Sequence, residues 1–397
     1  MKVKHLAAAI VFSSSNIIAL AGSNIDAILS NIKCNNTELK VFGASIKSDS
    51  ANIVTNNNLE DPKVDFGYDF NSDISGNKWE IGVSQGFDWP GTYAARRKAN
   101  ASKTDALRLA YQVKQLDILY QAKTTCLEII MLNKQIDYQK LILGNMENLY
   151  AQYDKAYQHG ETSIIDINKL KIERIAARQA LNELNTKLSA AKSRLLGLNN
   201  NQSFSINLDS LNDYPAEELR SYDTYQKEFA NFDPQNSYFS KVEEGIKNDV
   251  KVAKLGWFPK FDIGYRYSRE DGGKFNGVTV GASIPIFSNR KKVAAAKSLS
   301  TTNEMERQNY ETENAARIKS KYETAVSLKS QLALYSEVIG DNNNFIVLKK
   351  ALDGGQITPL DYLLEVRYFL EAKDKYVELE YEYNSALAEL NKYHLVQ

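Results

Sequence analysis

A nine-residue stretch, Pro62 to Phe70, reads PKVDFGYDF and returns 197 positions later as PKFDIGYRY, Pro259 to Tyr267. Five of the nine positions are identical. Apolar and polar residues alternate in each copy. Val64, Phe66, Tyr68 and Phe70 oppose Lys63, Asp65, Gly67 and Asp69, and Phe261, Ile263, Tyr265 and Tyr267 oppose Asp262, Gly264, Arg266 and Ser268. A period of two is a β-strand with one oily and one wet face. Turn residues follow each copy, over Asn71 to Asn77 and Asp271 to Gly277. The return strands then set Trp79, Ile81, Val83 and Phe87 against Glu80, Gly82, Ser84 and Gly86, and Val278, Val280, Ala282, Ile284 and Ile286 against Thr279, Gly281 and Ser283. Four strands of about ten residues each have the length that a tilted membrane-spanning strand needs.

Each hairpin leads into a different regime. No proline occurs between Pro90 and Pro215 or between Pro285 and Pro359, and apolar residues recur at helical spacing, as in Leu107, Leu109, Tyr111, Val113 and Leu116. The reading is a long helix over about 95–158, closed by His159 and Gly160, then a helix over about 163–196 opened by Ser163 and Asp166 in a capping-box-like pattern. At 1.5 Å per residue the first would run about 95 Å, which calls for a coiled coil or a helical tube. The second half repeats the plan: a hairpin over 259–288, a long helix over about 290–352 ended by Gly354 and Gly355, and a helix over about 359–393 opened by Thr358, with Pro359 where a first turn tolerates it. The first repeat thus spans 62–199 with its hairpin at 62–89, and the second 259–397. Between them, 200–258 reads as an interrupted region ending in a short helix near Asn236 to Leu255, and 22–61 as an N-terminal helix (Ile25 to about Lys47) and linker.

Residues 1–21 read as a signal peptide, with Lys2 and Lys4, an apolar Leu6 to Phe12, and Ala19-Leu20-Ala21 before Gly22. No cysteine stands at position 22, so no lipoprotein is expected. The formal net charge is zero, which offers nucleic acid no general attraction. No later apolar run reaches the ~18 residues of a spanning helix, so membrane contact falls to the strands. Cys34 and Cys126 make no metal-type spacing. Neither a phosphate-cradling glycine loop nor a nucleophile elbow occurs, and no enzyme, cofactor or metal centre is expected.

Four strands cannot close a barrel, and an open sheet leaves edges that lipid cannot satisfy. Other copies must pair them. Three copies give twelve strands around a water-filled lumen, which suits the charges of the wet face, and twelve long helices continue the tube. The lipid-facing candidates are Phe66, Tyr68, Ile81, Val83, Ile263, Tyr265, Val280 and Ile284. Trp79, Trp89 and Trp257 stand near strand ends, fit either for an interfacial girdle or for packing at the strand–helix junctions.

These features resemble the TolC-like outer-membrane efflux proteins. The carriers are Asn58 to Pro62 before a strand; Gly82 to Phe87 entering a helix with Ala94, Arg96 and Arg97; His159, Gly160, Ser163 and Asp166 before Leu170 and Ala176; and Gly355, Thr358, Asp361, Leu363 and Ala372. The resemblance implies a mainly helical chain with membrane β-structure, a homotrimeric twelve-strand barrel in the outer membrane of a Gram-negative bacterium, and a helical barrel in the periplasm. It implies an exit duct served by a periplasmic adaptor and an inner-membrane transporter. In such proteins acidic side chains of the second hairpin ring a periplasmic gate; Asp361 matches the first acidic position, Leu364 occupies the second, and Glu365 follows. Asp166 and Arg367 complete the candidate gate, although a helix cap and a solvated surface charge are their plainer roles. The turns carrying Gly160, Ser163, Gly355 and Thr358 are the candidate adaptor-docking sites, where glycine also serves to end a helix. The rival reading is a periplasmic adaptor or scaffold, which would leave the oily hairpins unburied. A secreted coiled-coil protein leaves the strand alternation unexplained.

Overall fold

The computed structural model describes residues 24–70, 77–270, 272–339 and 343–397. The proposed signal peptide, the middle of the first hairpin turn and Gly340 lie outside them. The chain divides into two compact units. One holds the described residues up to 40 with 114–232 and 315–397, and the other holds 41–113 and 233–314.

The second unit contains one sheet. Its strands β1 (Lys63–Asp69), β2 (Lys78–Phe87), β3 (Lys260–Glu270) and β4 (Gly273–Ser283) lie in the order β1-β2-β3-β4. All neighbours are antiparallel, and β2 with β3 joins the two sequence repeats. The register carries the oily positions across in rows. Phe66 faces Ile81, which faces Tyr267; Val64 faces Val83, which faces Tyr265, which faces Val278. These rows are open: Phe66 is 70% exposed and Val278 72%. Unpaired apolar area of that kind asks for an apolar solvent or a partner.

At the foot of the sheet the strand-to-helix junction is fixed by charge. Asp88 accepts Arg96 Nη1 at 2.7 Å and Lys260 Nζ at 3.0 Å, and Lys260 also reaches Glu60 at 2.8 Å. Burial alone would push the Asp88 carboxyl up, but the two cations outweigh it and hold it below its usual range. Trp89 stacks on Phe258 with ring centroids 4.9 Å apart, so junction packing is its role. Trp79 belongs to the oily row and lies 5.5 Å from the Tyr267 ring.

The long helix α3 runs Pro90–Gln158 and is followed by α4, Ile164–Leu198. Its middle is buried on most sides: Cys126, Leu127, Ile129, Ile130 and Leu132 are all at or under 2% exposure. Both cysteines are free, and burial pushes the Cys126 thiol up to about 12. In the first unit the helix α1, residues 24–35, buries Ile25, Ile28 and Ile32.

Three boundaries differ from the periodicity. The N-terminal helix breaks at Asn36, whose Oδ1 accepts the Leu39 N–H at 2.9 Å while its Nδ2 donates to the Leu198 carbonyl at 2.8 Å. A second helix, α2, then runs Thr37–Thr55, beyond the expected Lys47. The interrupted region holds a further helix, α5 (Tyr222–Phe232), before α6 (Pro234–Leu255). The second long helix is described as α7 (Lys292–Ile339) and α8 (Asn343–Asp353), residues 340–342 lying outside the described residues, ahead of α9 (Pro359–Leu390). Tyr225 of α5 is buried in a cluster with Ile318, Ala325, Ala386 and Leu390. Beside it Arg220 grips Glu228 and Asn391, and Asn391 donates to Glu217 at 2.7 Å, tying the end of α9 into the first unit.

Candidate functional site: the paired helix–turn–helix tips and the open sheet face

Both tips lie in the first unit and close by the same device. At the end of α3, Glu161 N–H reaches the Ala156 carbonyl at 2.8 Å and Gly160 N–H reaches Tyr157 at 2.9 Å. At the end of α8, Gln356 N–H reaches Ala351 at 2.8 Å and Gly355 N–H reaches Leu352 at 3.0 Å. Each is a Schellman motif, and each glycine takes the left-handed conformation it requires, with φ 73° at Gly160 and 69° at Gly355. One apolar cluster joins the tips, built from Met146 and Leu149 of α3, Leu170 of α4, and Tyr362 and Val366 of α9.

The helix starts differ. Ser163 Oγ accepts the Ile165 N–H at 3.0 Å, and Asp166, half-buried, stays outside the cap. Thr358 and Asp361 form a full capping box: Thr358 Oγ1 accepts the Asp361 N–H at 3.2 Å, and Asp361 Oδ2 accepts the Thr358 N–H at 3.1 Å and its hydroxyl at 2.6 Å. Those two donors from Thr358 hold the exposed Asp361 carboxyl below its usual range. Asp361 and Glu365, four residues apart, share one exposed face of α9, next to the stripe in which Tyr362 and Val366 are buried. Arg367 pairs with neither; its Nε lies 3.8 Å from Glu371, a turn further on. The structure thus brings Asp361 and Glu365 onto one face, gives Arg367 a partner within α9, and commits Asp361 to its cap. The resemblance pointed at acids and glycines and passed over Tyr362 and Val366, although their spacing of four was the available signal.

In the sheet, the candidate lipid-facing residues Phe66, Tyr68, Ile81, Val83, Ile263, Tyr265 and Val280 all fall on one face by register, and Ile284 follows β4 directly. All eight are more than 40% exposed. Among the described residues no helix is long and apolar enough to cross a membrane, which leaves this face as the apolar surface to be accounted for.

Residues 28–201 match the family described as outer membrane efflux protein. No curated protein matches the chain in sequence. Solved structures carry the fold over nearly all of it. The Campylobacter jejuni CmeC outer membrane channel aligns with a TM-score of 0.75 at 15% identity, covering 94% of this chain and 86% of the other. The Vibrio cholerae outer membrane protein VceC aligns at 0.73 and 12% identity, covering 94% and 96%. The open state of the Neisseria gonorrhoeae MtrE outer membrane channel aligns at 0.68 and 14%, covering 94% and 88%. This chain therefore has the fold of those channels, mainly helical with one small sheet.

Proposed function

We propose that the protein is the outer-membrane exit duct of a tripartite efflux system. Three copies close their four-stranded sheets into a twelve-strand barrel, β4 of one copy pairing with β1 of the next, and their helices continue the conduit into the periplasm. The protein catalyses nothing; an inner-membrane transporter drives the cargo and a periplasmic adaptor joins the two. Export by the N-terminal signal peptide delivers it to the outer membrane. The observation that carries this reading is the sheet itself. One face is exposed and oily, the other charged, and β1 and β4 have no outer strand neighbour among the described residues. In lipid those edges must be paired, and closure around a wet lumen satisfies edges and both faces together.

At the tips, the Gly160–Ser163 and Gly355–Thr358 turns serve as adaptor-docking points, and the exposed α9 face with Asp361 and Glu365 borders the periplasmic gate. The test of the whole reading is fractionation followed by native mass measurement in detergent. An outer-membrane protein of three chains supports it. A soluble periplasmic monomer overturns it and favours an adaptor.

A further inference from the structure

The wet face of the sheet has an internal order. Lys63, Lys78 and Lys260 are the first residues of their strands. Lys260 is held by Glu60 and Asp88, and Lys78 lies 3.8 Å from Glu270. Inside the strands, Arg266 is the one cation on this face among the described residues, set against Asp65, Glu80 and Asp262. Its side chain is about half exposed, and its Nη1 stands 3.7 Å from Glu80, a loose pair.

The neighbours of Arg266 are as telling as its charge. The row across the sheet at its level is Asp65, Gly82, Arg266, Gly277. Neither glycine is imposed by this chain's packing. A Cβ at Gly277 would meet nothing within 4 Å, and one at Gly82 only the Tyr265 carbonyl at 3.8 Å, with no left-handed φ at either. Gly264, one row away, is the contrast: a Cβ there would stand 2.7 Å from Thr279 Oγ1 and 2.9 Å from the Val83 carbonyl. Gly82 and Gly277 leave the wall bare on both sides of the guanidinium, so it faces water and whatever the water carries.

We propose that Arg266 determines the charge selectivity of the barrel lumen, giving solutes with negative charge a passage through a wall that is otherwise anionic. The inference rests on the channel reading above, which places this face on the lumen. With three copies, three arginines offset the carboxylates at mid-strand, and charged rings at that level decide which ions pass.

The experiment is the reversal potential of the purified full-length protein in a planar bilayer under a KCl gradient. Arg266→Gln is expected to raise the potassium-to-chloride permeability ratio about threefold or more. Arg266→Lys should keep the wild-type ratio, which separates loss of charge from disturbed assembly. Arg269→Gln removes the same charge from the same strand but from the oily row, beside Trp79 and Lys274, and should leave the ratio unchanged. An unchanged ratio in Arg266→Gln, or an equal shift in Arg269→Gln, overturns the proposal while leaving the channel intact. A wild-type protein that is a soluble monomer sinks the channel reading itself.

Discussion

The two halves of the chain descend from one plan, and their differences show which parts of the plan are structural. Both open with a proline, a lysine and an alternating strand. In the second half Lys260 is held by Glu60 and Asp88, and Arg266 stands where the first half, counted from its own proline, has Asp69. Both end their long helices with a left-handed glycine in the same hydrogen-bond pattern. Yet only the second half closes a capping box at its last helix. The shared items are those that geometry forces, namely strand alternation and helix termination. The divergent ones are charges, which the backbone leaves free to differ.

If the oily rows of both halves face lipid, charge placed there must be refused in either half. Ile263→Arg or Val280→Arg is expected to cost about 2–4 kcal/mol per copy at mid-bilayer depth, and three copies compound it, so trimer should vanish from the outer membrane. Ser283→Arg, on the wet row, should assemble normally. Phe66→Arg tests the first half in the same way. Equal membrane yields for all four variants, measured by fractionation, would break the equivalence of the halves and the barrel with it.

The next effect turns on an acid of the first half that grips a cation of each half. Asp88 neutralises two cations at the junction, and Asp88→Asn is expected to cost about 2 kcal/mol. Because its carboxyl is held below its ordinary range, the stabilisation is present above the ordinary carboxyl pKa of about 4 and is lost as pH falls through the lowered folded value. Thermal melts below pH 4 should therefore converge for Asp88→Asn and the wild type, and separate at pH 7. A constant gap across that range would show that the ion pairs are not the source.

Much of this was legible in the residues, for a stated physical reason. A sheet with one wet face must alternate, so Val64 to Phe70 and Phe261 to Tyr267 announce themselves. A helix end that needs a left-handed residue selects glycine, so Gly160 and Gly355 mark theirs. The extension of α2 to Thr55 was hidden because Leu39 is its one buried residue, and a helix without a buried stripe writes no apolar period. The break at Asn36 depends on a side chain reaching Leu198, far along the chain, which local pattern cannot show. Helix α5 carried a readable set in Tyr222, Tyr225 and Phe229, but the prolines around it led to an irregular reading. At the gate, the sequence supplied Asp361 and Glu365. That Asp361 closes a box while Asp166 does not is a matter of side-chain conformation at two similar turns.

Smaller effects compare the tips directly. Gly160→Ala and Gly355→Ala should each cost about 1.5 kcal/mol, since both require a left-handed backbone, although no atom stands within 4 Å of either added Cβ. Equal losses by hydrogen exchange at the two turns would confirm that termination is shared. A loss at one only would mean that one turn relaxes into another conformation.

The capping difference predicts the finest split. Thr358→Ala removes the acceptor for the Asp361 N–H and the hydroxyl donor to its carboxylate, and is expected to cost about 1 kcal/mol, against about 0.5 kcal/mol for Ser163→Ala, where one backbone bond is lost. The readout is amide exchange in the first turns of α9 and α4 at neutral pH, where Asp361 is charged. Thr358→Ala should also let the Asp361 carboxyl rise toward its ordinary range, because Thr358 supplies the bonds that depress it, and an NMR titration of that carboxyl would follow the change. If both turns lose protection equally and the carboxyl does not move, the capping box adds nothing that a lone serine does not. Asp361 would then be free to act at the gate rather than at its own helix.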